Sequence, residues 1–283
     1  MGACHAGPHF VCGLETGLPL AAISGSEQGM SMSAFPPIAA GNTRIALVEA
    51  GEEITYAALA GRIDRCAAAL LGGRDDLAEE RVAFLLPASS AYVVLLQAVW
   101  RAGGIAVPLN TASTLPELEH YLGSARVTRL VLDGAVEAGL ADLCERLGIE
   151  VLDAASLDAD PVSLPALAPE RRAMIIFTSG TTSKPKGVVS THANVAAQVT
   201  TLLSAWEWSD ADSIPLFLPL HHVHGIINVL CCALWAGARV DLFAGFDAAR
   251  VCAGVAAGRY SCFMAVPTVY VKLIEHIGKL PEH

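Results

Sequence analysis

The densest run of potential chemistry in the 283-residue sequence is Phe177-Thr178-Ser179-Gly180-Thr181-Thr182-Ser183-Lys184-Pro185-Lys186-Gly187, which sets hydroxyls, glycines and lysines directly behind an apolar stretch. Those residue types suit a polyphosphate. Small residues let backbone N–H groups approach an anion, hydroxyls donate further hydrogen bonds, and a lysine adds a compact positive charge. Lys184 and Lys186 can each supply that charge, with Thr178, Ser179, Gly180, Thr181, Thr182, Ser183 and Gly187 forming the cradle. The spacing does not satisfy the G-x-x-x-x-G-K-[ST] pattern of P-loop NTPases, so a phosphate cradle here is of another kind. A polar surface loop between a strand and a helix beginning near Thr191 is the plainer reading of the same composition.

A second constellation, Leu218-Pro219-Leu220-His221-His222-Val223-His224-Gly225, places three imidazoles beside an apolar run. A His-x-His pair can ligate zinc, but catalytic zinc normally takes three protein ligands, and no H-E-x-x-H helix or partnered carboxylate accompanies this segment. No metal is therefore assigned. Ordinary core or surface histidines and a pocket role both remain open on these residues alone. A third block, Phe263-Met264-Ala265-Val266-Pro267-Thr268-Val269-Tyr270, reads as a strand ending at a proline before a helix, which is common structural punctuation.

Short apolar runs alternating with helical patterns must position these segments, and that alternation from Arg44 onward is the signature of an α/β chain with mainly parallel sheets flanked by helices. The pattern predicts strands over 45–49, 53–55, 81–86, 105–108, 129–132, 150–152 and 173–178. Helices are predicted from Thr55 as N-cap to about Leu71, from Ser89 or Ser90 to about Ala102, over 115–122 with Pro116 in the first turn, and over 136–147 with Gly148 closing it. A Pro- and Ala-rich connector over 158–169 is expected to separate two lobes, about 38–157 and 170–283. Residues 1–37, rich in Gly, Ala and Ser and without periodicity, are expected to be a flexible leader.

Composition narrows the function classes. A hydrophobic content of 53% over this length is enough to bury a large core, which excludes a disordered tail. The net charge of -10 and the lack of a basic patch argue against nucleic acid as a partner. The eight cysteines are scattered without a Cys-x-x-Cys pair, which points to a reducing, intracellular setting. The two most apolar stretches are broken by Gln97 and Arg101 and by Pro219, the histidines and Asn228, short of the roughly 18 uninterrupted apolar residues of a membrane span. The first arginine is Arg44, so no clear targeting signal separates a mitochondrial from a cytoplasmic location.

In its exact order, the 177–187 segment closely resembles the phosphate-loop signature of the adenylate-forming superfamily, which includes acyl-CoA synthetases, luciferases and peptide-synthetase adenylation domains. The histidine segment resembles the same family's Leu-Pro-x-x-His-x-x-Gly motif, and the 263–270 block its strand and turn on the far side of the acyl pocket. The likeness runs from about Arg44 to the end and includes Glu53-Ile-Thr-Tyr-Ala-Ala-Leu and Val107-Pro-Leu-Asn. Within the superfamily the combination looks most like malonyl-CoA synthetases of the mitochondrial type.

The resemblance implies the front portion of an AMP-binding large domain with ATP, Mg2+ and CoA as cofactor and co-substrates and a small carboxylic acid, malonate or methylmalonate, as substrate. The carboxylate would attack the α-phosphate of MgATP to give acyl-AMP and pyrophosphate, and the CoA thiol would then attack the acyl carbon. By position in the motifs, His222 and Lys186 would be catalytic, while His221, His222, His224, Val266 and Pro267 would border the acyl substrate. Arg239, Arg259 and Lys272 are the cations available for a second substrate carboxylate. Two departures stand out: His221 stands where the family more often has an aromatic residue, and Ser183 where it generally has Gly. The family's adenine-binding strand, Tyr-Gly-x-Thr-Glu block, ribose-binding acidic residue, hinge and C-terminal lid with its adenylation lysine find no match within 38–283. A non-catalytic chain that binds phosphate or nucleotide weakly is the alternative expectation.

Overall fold

The computed structural model describes residues 9–10, 36, 38, 41–178 and 184–279. In chain order its strands are β1 (His9–Phe10), β2 (Ile45–Glu49), β3 (Glu52–Thr55), β4 (Arg81–Leu85), β5 (Ile105–Pro108), β6 (Arg129–Leu132), β7 (Glu150–Asp153), β8 (Arg172–Thr178), β9 (Lys186–Thr191), β10 (Ser213–Leu216), β11 (Arg239–Leu242) and β12 (Cys262–Phe263). The helices are α1 (Tyr56–Leu71), α2 (Ser90–Arg101), α3 (Leu115–Ala125), α4 (Ala138–Leu147), α5 (His192–Ala205), α6 (Cys232–Ala236), α7 (Ala248–Ala256) and α8 (Pro267–Ile277). A π-helical segment, His224–Cys231, leads into α6.

Local signals explain the helix ends. Thr55 accepts a hydrogen bond from the Ala58 N–H to open α1, which closes at Gly72 with φ of 55°. Ser89 caps α2 through the Tyr92 N–H. At α3 the Thr114 N–H and hydroxyl both reach the Glu117 carboxylate, with Pro116 in the first turn.

The strands form a six-stranded sheet in the order β7-β6-β4-β5-β8-β9 and a four-stranded sheet in the order β10-β11-β2-β3. Pairings are parallel except β2 with β3 and β8 with β9, so the mainly parallel α/β architecture expected from the sequence is present. The fully buried face of α2, including Tyr92, Leu96 and Trp100, lies in the core common to both sheets.

Two features differ from the sequence expectation. Residues 186–191, read as loop, form strand β9, antiparallel to β8 in the register Phe177 to Gly187 and Thr178 to Lys186. Its residues carry no alternating pattern because it is an edge strand with Val188 and Val189 both about half exposed. The connector is irregular as expected, yet it does not divide the sheets: β8, which follows it, pairs with β5, and β11 pairs with β2 from the front of the chain. Buried hydrogen bonds cross the same divide, from the Trp100 indole to the Ala173 carbonyl at 2.8 Å and from the Tyr56 hydroxyl to the Ala238 carbonyl at 2.7 Å. Local composition cannot report such long-range pairing. From the expected leader, His9–Phe10 pair in parallel with β12; the rest of 1–35 lies outside the described residues.

Candidate active site

Both sheets deliver strand ends to one crevice. A cavity of 250 Å³ is lined by Leu86, Pro87 and Ala88 after β4, by Leu109, Asn110 and Thr111 after β5, by 217–221 after β10 and by 243–245 after β11. In parallel α/β sheets the carboxyl ends of strands are where ligands bind. Strand β8 runs parallel to β5 in the same sheet, so its C-terminal end at Thr178 lies at that same edge. The topology therefore brings Thr178, with its β9 partner Lys186, and the histidine segment to one side of the molecule.

The histidine segment is held from below. The buried Tyr92 hydroxyl donates to the Leu220 carbonyl at 2.6 Å, fixing the backbone immediately before His221. Burial pushes that phenol well above its usual value, so it stays a neutral donor. On the other side, a Cβ on Gly225 would lie 2.6 Å from the Pro219 carbonyl oxygen and 3.3 Å from that of Leu218. Only glycine lets the π-helix start against that turn. An eight-residue π-helical stretch is unusual and such segments concentrate at functional sites.

His221 lines the cavity, whereas His222 is exposed and sits beside it with ring centroids 4.2 Å apart. Burial first, and the neighbouring His222 second, lower the His221 pKa to about 4. Its ring is neutral near pH 7, the form that can both donate and accept a hydrogen bond. His224, at the start of the π-helix, is also shifted down by burial. Val266 and Pro267 are exposed at the start of α8 and do not line this cavity. The third block reaches the site instead through Phe263, whose ring packs 5.6 Å from the cavity residue Phe217.

Thr178, Lys184 and Lys186 are exposed at the two arms of the loop, and Gly187 follows in β9; Ser179, Gly180, Thr181, Thr182 and Ser183 lie outside the described residues. A Cβ on Gly187 would come within 2.9 Å of Ile175 Cγ2, so a side chain there would push on the strand beneath. Helix α3 grips both arms. His120 Nε2 bonds to the Pro185 carbonyl at 2.7 Å, which requires the proton on Nε2, and the Tyr121 ring packs 4.5 Å from Phe177. Sequence reasoning missed both residues, because they lie far upstream in a helix with no chemical signature of its own.

Residues 38–282 match the AMP-binding enzyme family. The chain belongs to this family. Among curated relatives, the mitochondrial malonate–CoA ligase ACSF3 of Homo sapiens is 37% identical over 253 residues, covering 83% of this chain and 44% of the relative. That of Mus musculus is 40% identical over 215 residues, covering 72% and 37%. Among solved structures, apo MatB from Rhodopseudomonas palustris superimposes with a TM-score of 0.76 at 30% identity, covering 83% of this chain and 48% of that one, and its ATP-bound form gives the same TM-score and identity. The chain spans about half or less of the length of these relatives.

In this AMP-binding chain the three cations named for a second carboxylate are placed very differently. Arg239 is engaged by Asp241 at 3.0 Å and Glu53 at 3.5 Å, and it lines a separate pocket together with Arg259. Lys272 Nζ lies 6.0 Å over the Phe246 ring, which packs 5.1 Å from Phe217 on the cavity wall. Among the described residues no group of three His, Cys, Asp or Glu side chains is gathered for a metal, and no helix is long and apolar enough to cross a membrane.

Proposed function

We propose that this chain is the front part of an ATP-dependent acid–thiol ligase that activates malonate or methylmalonate to its CoA thioester. The observation that carries the reading is the convergence, at the carboxyl ends of strands from both sheets, of the α3-held residues Phe177 and Pro185 and a cavity lined by the neutral His221. The names of the malonate–CoA ligase relatives support the carboxylate, and their mitochondrial designation supports that compartment.

MgATP enters as substrate, with Lys184, Lys186 and the loop backbone neutralising and orienting its phosphates. One malonate carboxylate oxygen attacks the α-phosphorus, the bond to the β-phosphate oxygen breaks, and pyrophosphate leaves. His221 donates a hydrogen bond to the carboxylate, with His222 beside it. Lys272 attracts the distal carboxylate. The CoA thiol, losing its proton, then attacks the acyl carbon and AMP departs.

The test is production of malonyl-CoA by the native gene product from malonate, ATP and CoA. A Lys272→Met variant should raise the malonate KM about tenfold while leaving the ATP KM within twofold, and His221→Ala should cost more activity than His222→Ala. A product that forms no acyl-CoA with any small carboxylate would overturn the reading. It would favour the alternative, a non-catalytic chain that binds phosphate weakly.

A further inference from the structure

A second pocket, of 520 Å³, shares no lining residue with the strand-end cavity. Its walls come from the β2–β3 turn at Ala50 and Gly51, from β11, from α7 and from the turn before β12. Three arginines, Arg239, Arg250 and Arg259, meet there in a chain whose net charge is -10. Two carboxylates also face the pocket, and both have partners. The buried Asp241 takes the Arg239 Nε–H at 3.0 Å on one oxygen and the Tyr260 hydroxyl at 3.1 Å on the other. Glu53 faces Arg239 at 3.5 Å.

Arg250 and Arg259 have no carboxylate partner among the described residues. Arg250 lies with its guanidinium carbon 3.9 Å over the Phe243 ring. A guanidinium resting on an aromatic face keeps its in-plane N–H groups available to an anion. Arg259 precedes Tyr260, and both Arg259 and Arg250 act electrostatically on the Tyr260 phenol, opposing the upward push of burial and of Asp241. The two guanidinium groups thus bear on a common point at the pocket wall.

We propose that Arg250 and Arg259, backed by the Arg239–Asp241–Tyr260 network, form a binding site for a phosphate-bearing anion, separate from the 177–187 loop. A phosphate near neutral pH carries between one and two negative charges and three acceptor oxygens, which two forked donors can satisfy together. The internal carboxylates, already occupied by Arg239 and Tyr260, set the geometry without neutralising the two outer arginines.

The test is calorimetric titration of the 283-residue chain with inorganic phosphate at constant ionic strength. It is repeated on an Arg250→Ala/Arg259→Ala variant and on a Lys184→Ala/Lys186→Ala variant. The arginine pair is expected to lose at least tenfold in phosphate affinity, and the lysine pair is expected to retain this site. If the double arginine variant does not fold, the exposed Arg259→Gln substitution alone is expected to weaken binding at least threefold with an unchanged thermal midpoint. Titration with AMP distinguishes the source: tighter binding than phosphate through the same arginines marks a nucleotide, and equal binding marks free phosphate. Absence of phosphate binding, equal affinity in the arginine variants, or loss confined to the lysine variant would overturn the proposal.

Discussion

Burial holds the imidazoles of His221 and His192 neutral for different ends. His221 faces the cavity, whereas His192, only 1% exposed at the start of α5, packs edge-on to Trp100 with centroids 6.2 Å apart. Burial first, then Arg171, lower the His192 pKa from 6.5 to about 4. Between those values the unfolded chain binds the proton and the folded chain does not, so stability is complete above about pH 6.5 and falls as the pH drops toward 4. The loss is on the order of 3 kcal/mol at full extent. Thermal melts from pH 7.5 to 4.5 should therefore show a midpoint that falls through this window, and a His192→Gln variant should show a shallower fall; parallel curves would assign the slope to other groups. At Gly225 the near contact with the Pro219 carbonyl sets a second expectation. Gly225→Ala should destabilise by about 1–3 kcal/mol, read as a lowered denaturation midpoint at constant m. Ser183, which replaces the family's usual glycine in the loop, supplies a third. Ser183→Gly should tighten ATP binding, and an unchanged or weaker ATP dissociation constant would count against that.

At the scale of elements, the β8–β9 hairpin and α3 behave as one device, because α3 touches the loop's entry at Phe177 and its exit at Pro185. A His120→Phe substitution keeps the ring packing and removes the hydrogen bond to the Pro185 carbonyl. It should weaken ATP binding about threefold to tenfold while shifting the thermal midpoint by only a few degrees; His120→Gln, which can still donate, should recover part of the affinity. The helices here were legible in advance because Thr55, Ser89, Pro116 and Gly148 punctuate them in sequence. Strand β9 was not, because an edge strand with two adjacent exposed valines has no period-two pattern to read. The His120 clamp was invisible for a different reason: its partner lies 65 residues away and the bond uses a backbone carbonyl. That His221 lines the cavity while the adjacent His222 is exposed depends on the backbone of the turn before the π-helix, which residue type does not encode.

At the scale of the whole molecule, helix α8 exposes Val271, Ile274 and Ile277 by 54%, 69% and 55%, beside an apolar groove of 690 Å³ shared with α7. Contiguous apolar surface of this kind binds environment-sensitive dyes. The 283-residue chain should therefore brighten such a dye, and Ile274→Lys with Ile277→Lys should reduce the signal without lowering the thermal midpoint. A dye-silent, monomeric chain would contradict the exposed face. At this scale the two-lobe expectation also met its limit. The connector is real, but β8 pairs back to β5 and β11 to β2, so the sheets interleave residues from both sides of it. The two motif segments each follow a largely buried strand, β8 before residue 179 and β10 before residue 217.

The central claim is most directly tested by carboxylate-dependent ATP–pyrophosphate exchange, measured on the native gene product captured with an antibody to the region after Pro169. Exchange that requires malonate or methylmalonate and is lost in a Lys186→Ala variant is the predicted result. Absence of exchange with every small carboxylate tried, in a product that still binds phosphate, would contradict it.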